Sequence, residues 1–378
     1  MASCLVGSEM CIRDRVSTGM LSASIFNRID EVIASKDNRH RGHLGFSGIG
    51  DDDEYKLWMG FRWCLPSTFG GRMLRLFDLG QRIEEQIVDN IKDSGLISIA
   101  SHDKDGNQFR ASFFGGHFAG SCDGLLKGVL PPPESEVVLL LEVKSANDKR
   151  FKELVKLESY EAWSETYRWQ IHAYMGALGL TKCMVVVMNK NNSEIYSEVI
   201  EYNAAIWERA QEKAERIICS DAPLKETRRS EKDWRMKNEP DLYKDIYYGR
   251  RLPESVNCRN CMHSKPLTES HGAVWVCKRT GEALSLDEQR AGCHKHMWIP
   301  NLVGADYMPE RSTQDATAYR AGIIDFYNGV GPEDGEYYYS SAEMRELSKV
   351  RFDTQMMIDN ERISCLLYTS PSPRDNLP

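Results

Sequence analysis

The sequence predicts a mixed α/β domain, with a short central sheet flanked by helices and a small cysteine-rich lobe toward the C-terminus. Three observations predict it. Short β-branched apolar runs, Val137 to Val143 and Cys183 to Asn189, alternate with segments of helical spacing such as Arg72 to Ser94 and Glu165 to Leu180, the pattern of a sheet covered by helices. Four cysteines, Cys258, Cys261, Cys277 and Cys293, gather in one late stretch. The chain of 378 residues is 41% hydrophobic and 28% charged, enough for one large domain or two modest ones with a real core.

The same composition excludes several classes. No apolar run approaches the ~18–20 residues that span a membrane. A net charge of −8 argues against a surface that binds nucleic acid everywhere, while leaving room for a local basic patch. The acidic run Asp51 to Glu54 then reads as an offset to such a patch. Eleven cysteines, an odd and scattered set, do not form a secreted disulfide framework, so a reducing cytoplasm is expected. Residues 1–19 and 364–378 read as non-native tails resembling translated sequencing-adapter read-through. Met1 to Arg15 lacks the basic start and apolar core of a signal peptide, and Cys4, Cys11 and Cys365 carry no weight.

Taken in order, Met20 to Ser35 has helical spacing at Ile25, Ile29, Val32 and Ile33, with Ser22 or Ser24 as cap. A basic loop, Asn38 to Gly50, precedes a helix from Glu54, and Trp58, Phe61 and Trp63 are expected in the core. In the helix Arg72 to Ser94, Gly80, Glu84, Ile87, Val88 and Ile91 share a face, so Glu84 interrupts an apolar stripe. Arg72, Arg75 and Arg82 are either a solvated face or forks for phosphate. Leu96 to Ala100 and Phe109 to Phe114 read as strands joined by the turn Asp103 to Gly106. Asp148 to Glu158 is charged and helical, with Lys149, Arg150 and Lys152 supplying positive charge. A hairpin follows, Cys183 to Asn189 with Glu194 to Glu201, then the helix Ala204 to Ile218. Leu224 to Arg251 reads as a polar connection. Beyond Tyr307 the periodicity is weak, and Phe326 to Tyr339 is expected to order against a partner.

The chemistry gathers at Gly116 to Ser145. The strand Val137 to Val143 ends in Glu142-Val143-Lys144, and alternation sets Glu142 and Lys144 on one face with Val143 turned to the core. A carboxylate and an ammonium there are costly to bury unless paired or bound. Asp123, between Gly120 and Gly124, lies where a turn brings it beside Glu142. Two carboxylates and a lysine suit a divalent cation and an activated water.

Asp123 with Glu142-Val143-Lys144 resembles the PD-(D/E)xK nuclease superfamily. Glu84 upstream and Gln170 in Tyr167 to Tyr174 resemble its RecB- and λ-exonuclease-like branch. His43 to Gly50, Leu57-Trp58, Phe61 to Trp63 and Arg72 to Phe77 are similar to phage-type exonucleases of that branch. The resemblance covers roughly His43 to Pro300. It implies a restriction-endonuclease-like core and metal-dependent DNA hydrolysis, exonucleolytic in mode, in phage-type recombination or DNA processing.

On that resemblance Asp123, Glu142 and the Val143 carbonyl hold magnesium or manganese, and Glu84 completes a second position or binds through water. Lys144 orients or deprotonates the attacking water, and Gln170 positions water or phosphate. Arg72, Arg75, Lys149, Arg150 and Lys152 contact DNA. A single-strand annealing protein and self-association are further partners, no membrane is involved, and the setting is the bacterial host cytoplasm. A nucleic-acid-binding module of the same fold without turnover is the alternative.

The units expected are the nuclease domain 20–223, a linker 224–251, a cysteine-rich lobe 252–305 and a segment 306–363 of unassigned role. Cys258, Cys261, Cys277 and Cys293 suit tetrahedral zinc, with free cysteines or an iron–sulfur cluster as the alternatives. Cluster-bearing relatives place a ligand after Ile-Gly, where this chain has Asp51 to Asp53. His117 is expected to be structural.

Overall fold

The computed structural model describes residues 24–35, 40–66, 69–322, 324–331 and 337–348. The two expected tails, Ser22, residues 349–363, and Cys4, Cys11 and Cys365 lie outside the described residues. Helix α1 spans 24–35. After it come β1 (Leu44–Gly45), α2 (Glu54–Phe61), α3 (Gly71–Ser94), β2 (Ser98–Ala100), β3 (Arg110–Phe113), β4 (Phe118–Ser121), β5 (Gly124–Lys127) and β6 (Val138–Ala146). Then α4 (Asp148–Leu157), α5 (Tyr160–Trp163), α6 (Glu165–Leu178), β7 (Lys182–Asn189), β8 (Ile195–Glu201) and α7 (Ala204–Cys219) complete the first part.

The main sheet runs β2-β5-β6-β7-β8. Only the β6–β7 pair is parallel; the rest are antiparallel. A parallel neighbour needs a long crossover, here α4, α5 and α6. Alternation along β6 sorts its side chains onto two faces. Leu139, Leu141 and Val143 pack with Ile83, Ile87 and Val88 of α3, while Leu140 joins Ile171 and Met175 of α6 and Cys183 and Val185 of β7. The strand is therefore buried on both sides, which explains why it reads as a nearly continuous apolar run.

Local chemistry sets the ends of these helices. Asn147 caps α4 by accepting from Arg150 N at 2.9 Å, and Ser164 caps α6 by accepting from Tyr167 N at 3.4 Å. Gly95, at φ 63°, closes α3 in the left-handed conformation. Gly176 sits inside α6 for a packing reason. A Cβ there would lie 2.4 Å from the Trp207 ring of α7, so only hydrogen lets the two helices approach.

Three expectations change. The strands about Asp103 to Gly106 do turn there, with Asp103 Oδ1 accepting from Asp105 N and Asn107 N and a bridge between His102 and Gln108. They then part. β2 pairs with β5, whereas β3 joins a separate sheet of order β1-β4-β3. The stretch 224–251 contains α8 (Asp241–Tyr247) and buries Met236, Ile246 and Tyr247 in the same apolar cluster as Trp58 and Trp207. Past residue 305, β12 (Asp306–Tyr307), β13 (Ala316–Ala321), β14 (Ile324–Gly329) and β15 (Tyr338–Tyr339) form a four-stranded sheet, followed by α10 (Ser341–Ser348). Phe326 is thus ordered by its own chain, packing on Tyr319.

Between them lies a small sheet β11-β10-β9, made of β9 (Ser264–Pro266), β10 (Trp275–Cys277) and β11 (Ala283–Leu284), with α9 (Leu286–Ala291). Among the described residues no helix is long and apolar enough to cross a membrane.

Candidate active site

The site forms where the link from β4 to β5, which carries Asp123, lies against the neighbouring strand β6. The register pairs Gly124 with Leu141, which sets Asp123 opposite the Glu142–Val143 step. Asp123 Oδ2 accepts a hydrogen bond from Val143 N at 2.7 Å, so the strand backbone itself orients the aspartate. Gly120 makes room nearby. A Cβ there would meet the Tyr174 hydroxyl at 2.7 Å and Phe46 at 3.0 Å, and that hydroxyl donates to Ser121 O at 2.7 Å. This contact holds the end of β4 on α6.

Glu142 is the centre of the cluster and is 1% exposed. Its Oε1 accepts from Gln170 Nε2 at 2.7 Å and pairs with Lys144 Nζ. Its Oε2 is buried without a hydrogen-bond partner among the described residues. A buried acceptor left unpaired carries its full desolvation cost. Lys144 also lies over the Tyr167 ring, 5.3 Å from its centroid. The Tyr160 hydroxyl is likewise buried without a hydrogen-bond partner among the described residues. Burial raises its pKa well above the usual range, and Glu142 is the next cause.

The electrostatics are those of crowded carboxylates. Burial, then Glu142, pushes Asp123 well above the ordinary carboxylate range. The same two causes, in the same order, raise Glu84. That common influence brings α3 into the site, although Glu84 makes no direct hydrogen bond to it. Burial works against the Lys144 ammonium, but Glu142 and Asp123 outweigh it and hold its pKa above the ordinary lysine range. Three carboxyl groups face one ammonium.

Among the described residues, no three His, Cys, Asp or Glu side chains already stand close enough to hold a metal ion. The donor set nonetheless fits a hard divalent cation. Glu142 Oε2, unpartnered among the described residues, and the Asp123 carboxylate beside it are oxygen donors of the kind such a cation takes.

The expected DNA-contacting residues divide. Arg72 and Lys149 are exposed. Arg75 forms an ion pair with Asp30 of α1. Arg150 pairs with Glu153 at 2.5 Å and lies over Trp163, and Lys152 pairs with Asp148 at 2.8 Å. Gln170, expected on water or phosphate, donates to Glu142. Trp58, Phe61 and Trp63 are buried. His117 is structural, its Nε2 3.1 Å from Val274 O, and burial takes its pKa down to about 4. Tyr160 and Tyr167 were missed. Their signal was present, since Tyr167 shares a face with Gln170 at i and i+3, but an aromatic at that spacing reads as core.

The four cysteines of the lobe are free thiols and do not stand close enough together to hold a metal ion as placed. Burial pushes the Cys258 thiol up to about 12, followed in effect by Cys261, Cys293 and Cys277.

A carboxylate–lysine cluster on adjoining strands of a mixed sheet, with a helix-borne glutamine locked to it, is the class of site this fold defines. No family model matches the chain, and no curated protein matches it. Among solved structures it is similar to an alkaline exonuclease from Laribacter hongkongensis, at 15% identity and a TM-score of 0.33, over 47% of this chain and 87% of that one. It is also similar to a phage-related exonuclease from Haemophilus somnus, at 12% identity and a TM-score of 0.24, over 36% of this chain and 66% of that one.

Proposed function

We propose that this protein is a metal-dependent nuclease that hydrolyses DNA phosphodiesters, digesting from ends. One observation carries the reading: Asp123, Glu142 and Lys144 meet at one point, and the 1%-exposed Glu142 carboxylate keeps an unpartnered oxygen there. Asp123, Glu142 and the Val143 carbonyl, with Glu84, would hold magnesium or manganese, which supplies Lewis acidity at the scissile phosphate and a more acidic water.

The chain's own residues do the rest. Gln170 fixes Glu142 through Oε1, which leaves Oε2 as the donor. Lys144 is paired with Glu142, which sets its ammonium to orient the attacking water. Its Nζ proton is therefore available to stabilise charge growing on the phosphoryl oxygens. Arg72 and Lys149 are open to the DNA backbone, while Arg75, Arg150 and Lys152 would exchange carboxylate partners for phosphates. The resemblance extends this to phage-type recombination or DNA processing in a bacterial host cytoplasm. It adds a single-strand annealing protein and self-association as partners.

End-labelled linear and closed circular DNA, incubated with magnesium, with EDTA, and with the Lys144→Ala protein, test the reading. Loss of linear DNA alone, abolished by chelator and by the substitution, is the expected result. Cutting of the circle would replace the exonuclease reading with an endonuclease. Gel shifts without degradation would leave a binding module.

A further inference from the structure

The lobe poses a charge problem that the nuclease reading does not touch. Arg62 and Arg259 are both 1% exposed. Arg259 sits between Cys258 and Cys261, and its guanidinium lies 4.0 Å from the Trp63 ring centroid and 4.8 Å from that of Trp275. Its hydrogen bonds go to neutral acceptors: Gln289 Oε1 at 2.9 Å, Gly42 O at 3.1 Å and Phe61 O at 3.4 Å. Arg62 donates to the carbonyls of Arg259 at 3.4 Å and Ser264 at 3.3 Å. Its one carboxylate, Asp221, is 3.8 Å away and 73% exposed. Two buried cations side by side, Arg259 with no carboxylate partner among the described residues, are strongly unfavourable.

The missing anion has an address. Cys258 and Cys261 end one tight turn, in which Cys261 N donates to Cys258 O at 3.1 Å. Asn257 caps that turn by accepting from Arg259 N and Asn260 N. Cys277 is brought to it by sheet pairing, opposite Ser264, whose N donates to Cys261 O at 3.2 Å. Cys293 arrives from the other side. Gly292 packs so closely on the turn that a Cβ would meet Val256 O at 2.9 Å, and Cys258 Sγ donates to Glu288 O of α9 at 3.4 Å. The nearby histidines are otherwise placed. His296 is bound on both ring nitrogens, by Ser341 at 2.8 Å and Asn260 at 2.9 Å. The His263 carbonyl accepts from Lys278 N at 2.6 Å, and its Nε2 is buried without a hydrogen-bond partner among the described residues.

We propose that Cys258, Cys261, Cys277 and Cys293 bind one zinc ion as a tetrathiolate, whose net charge of −2 is matched by the buried guanidinium groups of Arg62 and Arg259. Four thiolates and one divalent ion give that charge, and thiolate donors on short turns suit zinc. The sulfurs as placed are not gathered tightly enough to hold an ion, so binding draws them in. Through Arg259 the ion then bears on the nuclease side of the molecule, because the same guanidinium holds Gly42 and Phe61.

The test does not depend on DNA cleavage. Protein purified without added metal is measured by elemental analysis and absorbance, with zinc release followed by a colorimetric chelator after thiol blocking. One zinc per chain and no visible absorbance are expected. The exposed Cys293→Ser variant should lose the ion. Arg259→Met should weaken zinc retention against the chelator at least tenfold, and Arg259→Lys should recover part of it. Iron with inorganic sulfide, a disulfide among the four cysteines, or thiols without metal would each overturn the proposal. Should Arg259→Met fail to fold, Cys293→Ser and the metal content of the parent still decide it. Full zinc retention in a folded Arg259→Met protein would refute the charge match.

Discussion

The molecule holds two clusters of three carboxylates, and they are built in opposite ways. Asp51, Asp52 and Asp53 all pair with Arg229. Asp52 also takes Arg235, Asp51 takes Lys56, and the buried Asp53 caps α2 from Lys56 N and accepts from the Tyr247 hydroxyl. Burial pushes Asp52 up, but Arg229 and Arg235 outweigh it and hold its carboxyl below the usual range. Asp53 stays raised, burial outweighing its partners. In the other cluster Glu84, Asp123 and Glu142 share one lysine, and an oxygen of Glu142 goes unpartnered. A fully matched cluster holds a fold together. An unmatched one is set to bind charge from outside.

Substitutions sharpen that contrast, and the largest effect belongs to the unmatched cluster. Asp123→Asn should lower DNA cleavage about a thousandfold, the scale of losing a transition-state contact, without unfolding the protein. In EDTA the same variant should melt higher than the parent at pH 8. The folded-state pKa of Asp123 is raised, so its proton stabilises the fold at acid pH. That contribution is lost as pH rises through the folded value, and Asn removes the loss. Calorimetry at pH 5 and pH 8 checks the sign; an equal gain at both would refute it.

Asp53→Ala should do the reverse, costing about 1–3 kcal/mol of stability through the lost cap and hydroxyl bond. Its activity per folded molecule should stay near that of the parent in a chelator-controlled assay. Gln170→Ala releases Glu142 Oε1 from one partner, and about a tenfold fall in kcat with little change in KM is expected. The smallest effect falls on Arg235→Gln, at an exposed pair, which should change stability by less than ~0.5 kcal/mol. Because Asp52 is held low, its contribution is present at neutral pH and fades as pH falls through its folded value, so this variant should differ from the parent least in acid.

How much of this could be read in advance follows from distance along the chain. β6 and its Glu142-Val143-Lys144 ending were legible because alternation is local and an apolar run broken by charge is conspicuous. Gln170 was legible as a polar residue on a buried helix face, but not its bond to Glu142, 28 positions away. Asp51 to Asp53 read as loose acidity because Arg229 lies about 180 residues downstream, where no pattern joins them. β13 escaped for another reason. Ala316 to Tyr319 and Ala321 are all buried, so both faces are covered and the period-two signal that marks a half-exposed strand is absent.

The Arg259 guanidinium over Trp63 has a consequence for synthesis. Everything that forms the carboxylate–lysine cluster, Glu84 to Gln170, has been translated well before residue 259 exists. At roughly 5–20 residues per second, Trp63 waits on the order of 10–40 s for the cation that will cover it. Through that interval a nascent chain carries Trp58, Phe61 and Trp63 without their later partners. The ribosome-bound state, rather than the finished protein, is where a chaperone would find its target.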